Sequence, residues 1–198
     1  MTYHVGYLTG APASGKTTLA HALLDAVRPL ELFEYGARLT ESLTSRHRNL
    51  LQEDVRARSA SIVTTEDVRA VDLELQDFVD SNRRSSHIVI DSHAVTKEAF
   101  GFRLVPFSQA KLAALAPTLI IVLVADGTTT LSRIAANSGG RPMVTEWEAA
   151  FHTTLQASVA SAYSSALGIP AYFLDGTQPL AKLVERVARL FETPVSED

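Results

Sequence analysis

Gly10-Ala11-Pro12-Ala13-Ser14-Gly15-Lys16-Thr17 follows the pattern G-x-x-x-x-G-K-T, and its flanks decide what it is. The apolar run Val5-Gly6-Tyr7-Leu8 stands before it, and Thr17 to Val27 reads as a helix that stops before Pro29. Strand, glycine loop and helix in that order turn successive backbone N–H groups toward one point and aim the positive end of the helix dipole at it. Such a cradle holds phosphate oxygens. Residues 10 to 15 supply the cradle, Lys16 neutralises the β and γ phosphates, the Thr17 hydroxyl ligates Mg²⁺, and Thr18 continues the first turn. The expected ligand is ATP with Mg²⁺.

Outward from this loop, four more short apolar runs recur: Leu30 to Tyr35, Ile88 to Ile90, Leu119 to Ala125 and Ala171 to Leu174. Helical patterns separate them. Val68 to Val79 is apolar at spacings of three and four, and Thr145 to Leu167 opens on the capping box Thr145-Glu146-Trp147-Glu148 and closes at Gly168. Leu180 to Phe191 carries Leu180, Leu183, Val184, Val187 and Leu190 along one face. Strands alternating with helices predict an α/β fold, three layers deep around a parallel sheet. The Val- and Ile-rich runs suit strands buried on both faces.

A chain of 198 residues without cysteine, 46% hydrophobic, fits one domain spanning 1–198 and excludes disulfides and thiolate metal sites. A net charge of −4 argues against a nucleic-acid coat. No secretory pattern opens the sequence, and Leu119 to Ala125 is far short of the ~20 apolar residues of a membrane span, so a soluble, cytoplasmic protein is expected.

The second half of a phosphate site is an acid at the end of an apolar strand, and His87-Ile88-Val89-Ile90-Asp91 supplies it. Ligands of open α/β sheets gather at those strand ends, so Asp91 is the expected partner of Thr17 at the Mg²⁺. Asp126 and Asp175 follow strands too, and are expected to cap the next helices. Two stretches interrupt the alternation. Residues 37–67 are polar and hold Arg38, Arg46, Arg48, Arg56 and Arg58, and residues 137–143 form a glycine loop around Arg141. Each reads either as a flap over a site or as a solvated connection. Phosphoryl transfer needs positive charge and dryness at the migrating group, which Arg133 and Arg141 would supply if they close over it.

Thr9 to Thr18, Tyr35-Gly36, Asp91-Ser92-His93 and Thr96-Lys97 together resemble the archaeal-type adenylate kinase family and, more distantly, the nuclear adenylate kinase isoenzyme of eukaryotes. The likeness runs in order over most of the chain. It implies a P-loop fold with five parallel strands, ATP plus AMP going to two ADP, and Asp91 at the Mg²⁺ with His93 near the phosphates. It makes 36–67 an acceptor-binding insert opened by Tyr35-Gly36, and 137–143 a lid. Arg38, Arg56, Arg58 and Lys97 are then the candidate acceptor ligands. This sequence departs from that family in its short lid with a single arginine and in Arg38 soon after Tyr35-Gly36, which puts the acceptor in question more than the donor. A kinase for a nucleoside monophosphate is therefore the leading expectation. A kinase for a nucleoside, sugar or other hydroxyl is the first alternative, and an ATPase switch acting on a macromolecule the second.

Overall fold

In the computed structural model, which describes residues 3–46, 62–98, 100–136 and 144–193, the glycine loop leaves a fully buried strand, β1 (Val5–Gly10), and runs into α1 (Lys16–Ala26). Strand β2 (Leu30–Glu34) passes straight into α2 (Tyr35–Arg46), and α3 (Thr65–Asn82) leads to β3 (His87–Asp91). A two-stranded antiparallel hairpin, β4 (Val95–Glu98) and β5 (Gly101–Leu104), precedes α4 (Gln109–Leu115). The chain ends β6 (Leu119–Val124), α5 (Gly127–Ala136), α6 (Glu146–Leu167), β7 (Ala171–Asp175) and α7 (Leu180–Glu192).

Five strands form one parallel sheet in the order β2-β3-β1-β6-β7. The strand order reverses beside β1, so the glycine loop opens at the switch point where such sheets bind ligands. Both sheet faces are covered. On one, Leu8, Val89 and Ile121 pack with Leu19 and Leu23 of α1 and Val187 of α7; on the other, Tyr7, Ile90 and Val122 pack with Val71 and Leu75 of α3 and Ala160 of α6. Each fully buried leucine of this kind contributes about 1.5–3 kcal/mol.

Helix ends follow their local chemistry. Thr145 and Glu148 close the expected capping box on α6, and Gly168 ends it in the left-handed conformation. A second box, Thr64 with Asp67, starts α3 ahead of the Val68 expected from periodicity alone. Three readings are corrected. Strand β2 stops at Glu34, because Tyr35 already begins a helix that sinks Leu43 into the core. The segment from residue 37 is thus helical to residue 46, and residues 47–61 lie outside the described part. Asp126 does cap α5, accepting the Thr129 N–H at 2.7 Å, but Asp175 closes a turn onto Thr177 and Gln178 while Pro179 stands at the start of α7.

Candidate active site

The loop's shape is set by two glycines. At Gly10 (φ 152°) a Cβ would lie 2.5 Å from the Leu123 carbonyl oxygen and 2.9 Å from the Ser14 hydroxyl, so no side chain fits. At Gly15 (φ 99°) there is space, and the backbone conformation alone makes the demand. Ala13 shares it, at φ 62°. Gly15 offers α1 no side-chain cap, so the first N–H groups of that helix are left for an anion. The Lys16 ammonium lies along the loop, bonded to the carbonyls of Gly10 (2.8 Å) and Ala11 (3.3 Å). The buried Ser14 hydroxyl has no partner among the described residues, as expected of a loop shaped around something else.

Thr17 and Asp91 meet. The Thr17 hydroxyl donates to Asp91 Oδ2 at 3.0 Å. Two hard oxygen donors side by side, at a helix N-terminus beside a phosphate cradle, are of the kind that would hold Mg²⁺. One strand over and in register with Asp91, Glu34 ends β2 and pairs with His21, one turn along α1 from Thr17, at 3.2 Å.

All of this opens onto a cavity of about 810 Å³, which has two halves. Toward β7 it is walled by Thr130, Arg133, Ile134, Gln178 and Leu180. Arg133 does not reach over the loop. Its guanidinium donates to the carbonyls of Ala13 (3.2 Å), Ser14 (3.3 Å) and Gly176 (2.9 Å), tying the loop to the turn after β7. That turn is pressed so close that a Cβ on Gly176 would sit 2.8 Å from the Ser14 carbonyl oxygen.

The other half lies between α2, the strand ends and the hairpin, and includes Gly36, Thr40, His93, Lys97 and Glu148. Of the residues expected at an acceptor, Gly36 and Lys97 line it. Tyr35 does not: its hydroxyl donates to Asp72 of α3 at 3.0 Å, and burial beside that carboxylate pushes its pKa well up. Arg38 is turned away, paired with Glu41 (3.6 Å) and with Glu74 of α3 (3.4 Å). Arg56, Arg58 and Arg141, with the loop 137–143, lie outside the described residues. The three phenylalanines near the hairpin divide: Phe102 and Phe107 pack on aromatic neighbours, and Phe100 is exposed.

Sequence reasoning missed what fixes the hairpin. Gln156 of α6 accepts the Val95 N–H (3.1 Å) and donates to the Thr9 hydroxyl (2.6 Å), while His152 Nε2 donates to the Val95 carbonyl (3.0 Å). Burial holds the His152 pKa down, and the Lys16 and Lys97 ammoniums push the same way against the opposing effect of its bond to the Val95 carbonyl. The signal was present: Glu148, His152 and Gln156 form a polar stripe at four-residue spacing along α6.

A family described as an AAA domain matches residues 9–149. No curated protein sequence matches the chain. Among solved structures, a shikimate kinase from Acinetobacter baumannii in complex with shikimate superposes with a TM-score of 0.59 at 14% identity, covering 96% of this chain and 93% of that one. A gluconokinase from Sinorhizobium meliloti (TM-score 0.55, 16% identity, 96% and 94% coverage) and a sugar kinase from Janibacter (0.55, 19%, 96% and 95%) are similar over the same extent. At these identities the likeness is one of fold.

Proposed function

The chain belongs to the AAA domain family, and from that premise we propose that it is an ATP-dependent kinase that phosphorylates a hydroxyl of a small polar metabolite. The observation that carries this reading is the chemistry of the cavity's acceptor half. Among the described residues its cation is the single Lys97, and Arg38 points elsewhere. A phosphate dianion taken from water needs dedicated cations. A hydroxyl needs hydrogen-bonding groups and a base, and Thr40, His93, Glu34 and Glu148 are of those types. That full-length structural neighbours are named for shikimate, gluconate and sugars supports the same class of acceptor.

The donor's triphosphate lies in the loop of residues 10–15 with Lys16 on its β and γ phosphates, and its base occupies the half walled by Arg133 and Leu180. Thr17 and Asp91 would hold Mg²⁺, which would supply charge neutralisation at the phosphates. The acceptor oxygen bonds to the γ phosphorus as the bond to ADP breaks, and its proton leaves to His93 or Glu34. Arg133 acts by bracing the loop, since its guanidinium is committed to three carbonyls.

A second reading keeps AMP as acceptor. The order Tyr35-Gly36, Asp91-Ser92-His93 favours it, with Arg56 and Arg58 as phosphate ligands and Arg141 in a lid over 137–143. Incubation with Mg·ATP and a panel of nucleoside monophosphates, nucleosides, sugars, polyols and sugar acids, read by mass spectrometry, separates the two. A mass gain of one phosphate on a hydroxyl compound is expected, lost in Lys16→Met. Transfer to AMP alone supports the second reading.

A further inference from the structure

We propose that Lys97 is a catalytic residue, which exchanges its Glu148 partner for the migrating phosphoryl group. The inference rests on the kinase reading but not on the identity of the acceptor.

The frame comes first. Strand β4 is fixed to the phosphate-loop strand through one side chain, since Gln156 bonds both the Val95 N–H and the Thr9 hydroxyl. His152 holds the Val95 carbonyl from the same helix. Lys97 is two residues on, so it shares a strand face with Val95, and both line the cavity. The base of the Lys97 side chain is therefore held at a set distance from the cradle.

Its ammonium end is not so committed. It bonds the Glu98 carbonyl (2.8 Å), pairs with Glu148 Oε1 (3.3 Å) and lies 5.5 Å from the centre of the Phe102 ring. Lys16 and Lys97 both line the one cavity, Lys16 from the phosphate loop and Lys97 from β4. The migrating phosphoryl group spreads negative charge over three equatorial oxygens, and an ammonium on the side away from Lys16 would meet it.

Glu148 is suited to give Lys97 up. Its other oxygen, Oε2, accepts the Thr145 N–H (2.8 Å) and the Thr145 hydroxyl (3.1 Å). It also stands in the first turn of α6, where the helix dipole stabilises an anion. The carboxylate remains compensated after its oxygen Oε1 is vacated, so the exchange leaves no stranded charge.

The test needs no acceptor. Binding of Mg·ADP, with and without aluminium fluoride as a stand-in for the migrating group, is measured by calorimetry on the full chain. Wild-type protein should bind the fluoride complex more tightly than ADP alone. In Lys97→Met, ADP affinity should stay within about threefold while the fluoride-dependent gain falls on the order of 100-fold, the size expected when a single transition-state donor is lost. Lys97→Arg should recover part of the gain. Glu148→Gln, which can still cap the helix, should keep it. If Lys97→Met weakens both complexes equally, or leaves the gain intact, Lys97 only pins the hairpin and the proposal is overturned. A wild-type protein with no fluoride-dependent gain would instead overturn the kinase reading itself.

Discussion

At the scale of single residues, the two glycines of the cradle are required for different reasons, and substitution separates them. Gly10→Ala drives a methyl group into the Leu123 carbonyl, a backbone atom that cannot step aside without disturbing the β1–β6 pairing. Overpacking of this kind costs about 1–3 kcal/mol, and the displaced loop should no longer bind ADP measurably in calorimetry. Gly15→Ala meets no atom within 4 Å, so its cost is conformational. It should lose about 1–2 kcal/mol in urea unfolding and weaken nucleotide binding without abolishing it. Equal losses of binding in the two variants would show that the cradle depends on something other than these contacts. Both glycines were legible in the sequence because the motif states their spacing. The Thr17–Asp91 bond was legible too, since an acid at the end of an apolar strand beside the loop has few other places to point. Arg38 and Arg133 were not. A surface arginine's direction is chosen by partners on other elements, here Glu74 and the Gly176 carbonyl, which no local pattern reveals.

At the scale of elements, the inner strands β1, β3 and β6 stood out because strands buried on both faces are nearly unbroken apolar runs. The partly exposed edge strands β2 and β7 stood out only as short apolar stretches between helical patterns. The hairpin did not, for its strands are four residues each and half polar. Neither did α2, where a polar, arginine-bearing surface masks the buried Leu43. What secures the hairpin is α6, and the burial of His152 there makes the fold sensitive to acid. His152 is buried with its pKa held below that of an unfolded histidine, first by desolvation and then by Lys16 and Lys97. Below a pH of about 6.5 the unfolded chain takes up a proton that the folded His152 refuses. The stability it contributes is therefore complete above that pH and is lost as the pH falls toward the lowered value, with a slope of at most about 1.4 kcal/mol per pH unit. Urea unfolding at pH 7.5, 6.5 and 5.5 should show this decline. His152→Gln, whose amide can donate to the Val95 carbonyl without titrating, should flatten it. The slope should not vanish, because His87 is also held down by burial and by His4 while its Nδ1 accepts the His4 N–H at 3.0 Å. An unchanged slope in His152→Gln would mean that His152 is not the group that refuses the proton.

At the scale of the whole molecule, none of the described helices is long and apolar enough to cross a membrane, and the sheet, its two helical layers and the hairpin converge on one large cavity. Its volume of about 810 Å³ is at the upper end of the ~300–1,000 Å³ usual for small-molecule sites, room for a nucleotide and a modest second molecule. The parts around it belong to separate stretches of chain: the loop after β1, the acid ending β3, the hairpin, the stripe on α6 and the turn after β7. A ligand that touches all of them must stabilise the whole fold, because unfolding scatters them. At a concentration 100 times its dissociation constant, a nucleotide that binds only the folded state adds about 2.7 kcal/mol. For a chain of 198 residues, each kcal/mol raises the melting temperature by about 2–4 °C. Mg·ATP should therefore raise Tm by roughly 5–10 °C, measured by differential scanning calorimetry at saturation. The rise should disappear in Lys16→Met and shrink in Arg133→Ala, where the braces between the loop and the Gly176 turn are gone. If inorganic phosphate at the same ionic strength produced an equal rise, the cradle would be holding a single anion, and the halves of the cavity would not be working together on one nucleotide.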